Sequence, residues 1–212
     1  MKLIILDFDG TIGDTKELIV RTFQQTIEDL KMESRSNDEC AATIGLPLKE
    51  AFKNLYNIDD ETSNSCAESY RRIFYRNNVP GAVKPFPHTI ETLHHLHSQG
   101  YTLSIASSRS HRSLDEYVNE MQLNNIINYV LGADDTLQAK PHPAPVLKTL
   151  EHFSCTPQDA IVVGDTHFDI LMGRNALCHT CGVTYGNGTR NELMAAGAQY
   201  IIDDFRELID IL

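Results

Sequence analysis

The chain has 212 residues, 42% hydrophobic and 22% charged, and its 18 basic and 29 acidic side chains leave a formal net charge of −11. That length buries a sizeable core, as one domain with an insert or two small domains. The acidic balance repels nucleic-acid phosphates and anionic membranes, so neither is expected as a partner. No apolar run approaches the ~20 residues of a bilayer span, and the first residues lack the long apolar stretch of a secretory signal. Five scattered cysteines (40, 66, 155, 178 and 181) read as free thiols of a reducing, cytoplasmic compartment.

Residues 2–8 (KLIILDF) are a nearly continuous apolar run ending in acids and Gly10, the pattern of a buried parallel strand. The rhythm then changes. Ile19, Phe23, Ile27 and Leu30 recur at helical spacing, and polar helical stretches follow to about Asn78 with no strand among them. Residues 79–87 (VPGAVKPFP) carry the Pro and Gly of a linker. Beyond it, helix and strand alternate. A helix is expected over 89–99, with Ile90, Leu93 and Leu96 on one face and a stop at Gly100, and a strand over Thr102–Ala106. Ser110 is positioned to cap a helix over 110–121. A strand over 129–131 precedes a helix over 143–153, which has Pro in its first turn and Val146, Leu147 and Leu150 along it. Strands over 160–163, 180–183 and Tyr200–Ile202 alternate with helices over 169–176 and 205–212.

This order predicts an α/β fold. Its core, 1–14 and 86–212, would be a Rossmann-like, doubly wound parallel sheet, with a small all-helical unit, 15–85, inserted after the first strand. Cys178 and Cys181 form a CxxC that runs into a strand instead of opening a helix, and no second pair follows, so neither a redox nor a zinc role is expected. His94, His95 and His97 read as an exposed helix face, Lys49, Arg71 and Arg72 as solvated positions of the insert, and His167 receives no role.

In an open parallel sheet, ligands bind beyond the carboxyl ends of the strands. Four polar groups fall at such ends: Asp7, Asp9, Gly10, Thr11 and Asp14; Ser107 and Ser108; Lys140; and Asp165 with Asp169. Four crowded carboxylates (Asp7, Asp9, Asp165 and Asp169) need a cation, and hard oxygen ligands suit Mg²⁺. Ser107 and Lys140 are suited to holding phosphate oxygens, and Gly10 lets backbone N–H groups approach the same anion. A carboxylate can serve as nucleophile toward phosphorus, and a second one two residues on can move the proton. Phosphoryl transfer is the chemistry this set fits.

With these motifs in view, the chain resembles the haloacid dehalogenase superfamily, in its phosphoglycolate phosphatase-like branch. The likeness runs over nearly the whole chain, from the first motif, Asp7-Phe8-Asp9-Gly10-Thr11-Ile12-Gly13-Asp14, through Ser107 and Lys140 to Gly164-Asp165 and Asp169. It implies that Asp7 is nucleophile and metal ligand, and that Asp9 is general acid/base with its backbone carbonyl on the metal. Gly10, Thr11, Ser107, the Ser108 N–H and Lys140 would bind phosphate. Asp165 would be a metal ligand, and Asp169 a ligand or its neighbour. The insert would be the family's helical cap, with Gly45, Leu46 and Pro47 in its specificity loop. Dehalogenases and phosphonatases lack the second Asp that stands here as Asp9, and Thr11 favours hydrolysis over sugar phosphomutases. Where the family often reads Pro-aromatic-Pro-Gly, this chain reads Pro85-Phe86-Pro87-His88. The resemblance thus implies a Mg²⁺-dependent phosphatase of a small phosphorylated metabolite, monomeric or a small homo-oligomer. An inorganic pyrophosphatase or a β-phosphoglucomutase-like sugar phosphomutase is the alternative. A phospho-acceptor receiver would use similar residues but carries no helical insert after its first strand.

Overall fold

The computed structural model describes residues 2–212. In chain order the elements are β1 (Leu3–Leu6), β2 (Gly13–Asp14), α1 (Lys16–Asp29), α2 (Asn37–Ala41), α3 (Leu48–Tyr56), α4 (Asp60–Asn77) and β3 (Lys84–Pro85). Then come α5 (Thr89–Ser98), β4 (Thr102–Ala106), α6 (His111–Glu120), β5 (Ile127–Leu131), α7 (Ala144–Phe153) and β6 (Ala160–Gly164). The chain finishes with α8 (His167–Asn175), β7 (His179–Val183), α9 (Arg190–Ala196), β8 (Tyr200–Ile202) and α10 (Leu208–Ile211).

Six strands form one sheet in the order β5-β4-β1-β6-β7-β8, every neighbouring pair parallel. Side chains alternate across a strand, and here both faces are buried. Ile4, Leu6, Ile105, Ile161 and Val163 join one core cluster with Leu93 and Leu96 of α5 and Leu114 and Tyr117 of α6. Leu3, Ile5, Ala160 and Val162 join another, with Val146 and Leu150 of α7 and Met172 of α8. Helices on both faces explain why the strands read as continuous apolar runs instead of alternating ones. The fold is the α/β, doubly wound, Rossmann-like architecture. From β1 the chain winds outward to β4 and β5, then returns to β6 on the other side of β1. That reversal opens a crevice at the carboxyl ends of β1, β4 and β6.

Between β2 and β3 lie the four helices α1–α4. Phe23, Phe52, Tyr70 and Phe74 pack into the same cluster as the sheet face, with ring centroids of Phe23 and Tyr70 4.8 Å apart. The sequence pattern missed β2 and β3, whose antiparallel ladder pairs Gly13 with Pro85 and Asp14 with Lys84. Two residues per strand are too few to show a period. Lys84–Pro85 therefore adds a strand to the stretch expected to be all-helical. Leu30 falls just past the end of α1 and is 37% exposed, off the buried face that Ile19, Phe23 and Ile27 share.

Three helix expectations change as well. Ser110 sits at the N-cap of α6 but makes no capping bond; the Asp134 carboxylate accepts the His111 N–H at 2.7 Å instead. The span expected as one helix over 205–212 divides into a 3₁₀ turn, Phe205–Glu207, and the short α10. Helix α9 was not anticipated, although Thr189 and Glu192 form a reciprocal capping box at its start, a signal legible in the sequence. The five cysteines are free. Cys178 and Cys181 belong to different core clusters, and burial pushes both thiols up to about 12. His94 and His95 are exposed on α5. Among the described residues, no helix is long and apolar enough to cross a membrane.

Candidate active site

The crevice has a floor and a wall. Asp7 directly follows β1, and its N–H donates to the Val163 carbonyl at 2.9 Å, which fixes it at the sheet edge. The Lys140 ammonium comes from the loop after β5 and donates to Asp7 Oδ1 at 2.6 Å and Asp169 Oδ1 at 2.5 Å. Asp169 is the third residue of α8. Its other oxygen accepts the Thr166 N–H at 3.0 Å and the Thr166 hydroxyl at 2.7 Å, closing a capping box. Asp165 directly follows β6. Its Oδ2 accepts the Asn187 N–H at 2.6 Å and the Asn187 Nδ2 at 2.9 Å. Its Oδ1 is buried and has no donor among the described residues.

Asp7, Asp165 and Asp169 each bring an oxygen within 4.8 Å of the others, and all three are buried. Burial, ahead of the repulsion from Asp169 and Asp9, pushes Asp7 up to about 7 against the pull of Lys140. Burial first, then Asp169 and Asp7, holds Asp165 well above the usual carboxylate range. Burial alone would lower Lys140, but Asp169 and Asp7 outweigh it and keep the ammonium charged. Three buried carboxyl groups beside one ammonium cannot all carry their charge without a further cation. The orphaned Asp165 oxygen and this all-oxygen donor set fit a hard divalent cation. Gly10 takes φ +84°, and a Cβ there would lie 2.1 Å from Asp165 Oδ2, so only glycine lets the first loop approach this carboxylate.

The wall begins with Asp9, whose carboxylate turns away from the floor. Arg109 Nη2 donates to Asp9 Oδ1 at 2.5 Å and Arg109 Nε to Oδ2 at 3.2 Å. Arg109 Nη1 also donates to Ser113 at 3.1 Å, and the guanidinium lies 5.0 Å and 5.1 Å from the ring centres of Phe74 and Tyr117. Ser107 follows β4 and is nearly buried. The Ser108 hydroxyl donates to the Gly45 carbonyl at 2.7 Å, seating the loop between α2 and α3 on the sheet edge. Thr11 is buried, with its hydroxyl unpartnered among the described residues, and its carbonyl accepts the Tyr185 hydroxyl at 3.0 Å.

Between wall and helices lies a cavity of about 810 Å³. Asp7, Asp9, Ser107 and Ser108 line it from the sheet side, and Gly45, Leu46 and Pro47 from the helical side. Lys49 and Arg71 are exposed, as expected of solvated positions, and both also line this cavity. Arg72 instead pairs with Asp29, its Nη2 at 2.7 Å. Two placements differ from expectation. The Lys140 ammonium, expected on phosphate, is occupied by two carboxylates. The Asp9 side chain stands outside the acidic cluster because Arg109 holds both its oxygens. Arg109 and Asn187 escaped the sequence reading. Arg109 does follow the two serines after β4, and Asn187 sits between two glycines after β7, at another strand's carboxyl end.

Comparison with known proteins gives the same answer across the chain. Residues 4–183 match the family model described as haloacid dehalogenase-like hydrolase. A protein named "Probable phosphatase IndB" from Dickeya dadantii is 35% identical over 98% of this chain and 91% of its own length. A protein named pyrophosphatase PpaX from Anoxybacillus flavithermus is 29% identical over 99% of this chain and 95% of its own. Among solved structures, a Bacteroides fragilis protein described as haloacid dehalogenase-like superposes with a TM-score of 0.93 at 25% identity, covering 98% of this chain and 99% of its own. The chain belongs to the haloacid dehalogenase-like hydrolases.

Proposed function

We propose that the chain is a Mg²⁺-dependent phosphatase that hydrolyses a small phosphate monoester of the phosphoglycolate kind, with Asp7 carrying the phosphoryl group between two half-reactions. The observation that supports this most is the floor: three buried carboxyl groups lie together, only two of them meet the Lys140 ammonium, and a buried Asp165 oxygen has no donor among the described residues. Asp7 and Asp165 would hold the metal, with the Asp9 backbone carbonyl. Mg²⁺, when bound there, neutralises the carboxylates and the phosphate oxygens that gather beside them.

The remaining chemistry falls to the chain's own groups. The Asp7 carboxylate attacks phosphorus, and the bond from phosphorus to the alcohol oxygen breaks. Asp9 gives its proton to that oxygen, then takes one from the water that attacks the phosphorylated Asp7, and free phosphate leaves. Lys140 orients Asp7 and Asp169 through its two short bonds. Ser107 and the backbone N–H of Ser108 hold the phosphate, and Gly10 with Thr11 closes the loop beneath it. The helices over the cavity keep water from the intermediate.

The relatives named pyrophosphatase favour a second reading, hydrolysis of an anhydride, whose leaving group needs little help from an acid. Free phosphate measured from a panel of small esters and pyrophosphate, with Mg²⁺ or EDTA, tests both. Mg²⁺-dependent release that Asp7→Asn lacks supports the phosphatase, and the preferred compound chooses between the readings. A stable phosphorylated Asp7 with no phosphate released overturns both and points to a mutase.

A further inference from the structure

Arg109 is the feature of this crevice that the reading above does not use. Its guanidinium grips both oxygens of Asp9, at 2.5 Å and 3.2 Å, in the two-pronged geometry that suits a carboxylate. Its side chain is only 8% exposed. Ser113 and the rings of Phe8, Phe74 and Tyr117 fix it in the cavity wall. Asp9 is the only acid that an ion pair or hydrogen bond joins to it among the described residues.

This arrangement conflicts with the work assigned to Asp9. To hand a proton to a leaving oxygen beside Asp7, Asp9 must present an O–H toward the floor, whereas Arg109 holds both oxygens as acceptors toward the wall. Asp9 must therefore leave the fork during the reaction. A buried guanidinium abandoned without an anion is strongly unfavourable, so another anion has to take its place. Arg109 lines the cavity beside Ser107 and Ser108, within reach of whatever the substrate carries beyond its phosphate. Lys49 and Arg71 line the same cavity alongside Glu50 and Asp134, so the fork of Arg109 and not the rim's overall charge is what selects an anion.

We infer that Arg109 is the specificity residue of this site: it exchanges Asp9 for a second anionic group of the substrate, a carboxylate or a further phosphoryl group, and by that exchange frees Asp9 for proton transfer. The inference rests on the phosphatase reading and narrows it to phosphate compounds with two anionic ends. It also makes Arg109 a positioning residue for Asp9, since loading of the fork and release of the acid are one event.

The test compares phosphoglycolate with its neutral amide, and adds pyrophosphate, in the wild-type protein, Arg109→Gln and Arg109→Lys, all with Mg²⁺. The wild type should prefer phosphoglycolate or pyrophosphate over the amide by about tenfold or more in kcat/KM, the discrimination expected of a charge-assisted fork. Arg109→Gln should collapse that ratio to within about threefold of unity, the anionic compounds losing in KM and the amide gaining in kcat because nothing holds Asp9 any longer. Arg109→Lys keeps the charge without the fork and should fall between. Each ratio is taken within one protein, so a variant that folds incompletely still reports it. A ratio near one in the wild type, or a ratio preserved in both variants, overturns the inference while Mg²⁺-dependent release leaves the phosphatase standing. If the anionic arms separate, the better one identifies the second group as carboxylate or phosphoryl. Release from none of the three, or equal release by Asp7→Asn, overturns the phosphatase reading and this inference with it.

Discussion

The floor and the wall of the crevice handle charge in opposite ways. On the floor, the single Lys140 ammonium pairs with Asp7 and Asp169 and leaves Asp165 to the amide groups of Asn187. On the wall, Asp9 and Arg109 cancel one for one. The floor is thus electrostatically unfinished without a cation, whereas the wall is complete until a ligand disturbs it. An unfinished site spends folding stability to hold affinity for what completes it; a self-paired site spends affinity to stay folded.

The largest expected effect breaks the floor chemically. Asp7→Asn keeps the shape but removes the nucleophile, and should lower phosphate release by roughly 10³-fold or more; residual turnover above a few per cent would contradict its role. Asp9→Asn should cost roughly 10²–10⁴-fold on alkyl phosphates, and much less on aryl phosphates, whose leaving groups need no proton. An equal loss on both would place Asp9 outside acid catalysis.

Stability measurements sharpen the contrast. Lys140→Met strands Asp7 and Asp169 without their ammonium and should destabilise the metal-free protein by about 3–5 kcal/mol in a denaturant titration. Asp165→Asn should do the reverse near neutral pH, raising the melting temperature of the metal-free protein by removing a carboxyl group whose ionised form burial and Asp169 disfavour, and it should abolish the rise expected from Mg²⁺ in the wild type. If Mg²⁺ stabilises Asp165→Asn as much as the wild type, the metal lies elsewhere.

The remaining effect is in pH. Asp7 holds its proton up to about 7 in the metal-free fold, against 3.8 for the ordinary carboxyl. Between those values the folded chain binds more protons than the unfolded one, so stability falls as pH rises from about 4 to about 7. Saturating Mg²⁺ should flatten that slope, whereas a slope unchanged by Mg²⁺ would mean that the cation does not meet Asp7.

Much of the floor was legible because it depends on local order. An apolar run ending in Asp7, and another ending in Gly164-Asp165, place acids at strand ends whatever the loops do. The wall was not, because the Arg109–Asp9 bond joins residues 100 positions apart and depends on where α6 starts. Asn187 was hidden similarly, since its bond to Asp165 requires β7 to lie beside β6. Ser108 was expected at the phosphate through its N–H, and its hydroxyl's separate tie to Gly45 is a contact with a loop that no periodicity announces. The β2–β3 ladder was too short to leave a pattern, while α9 carried a readable capping box that the strand-and-helix rhythm passed over.

The Ser108–Gly45 bond ends on a main-chain carbonyl, which every residue type supplies. The bond itself is therefore indifferent to residue type at its acceptor end, whereas Ile44 and Leu46 on either side of Gly45 pack into the core. A substitution in this loop that keeps Ile44 and Leu46 apolar thus leaves the tie between roof and floor in place.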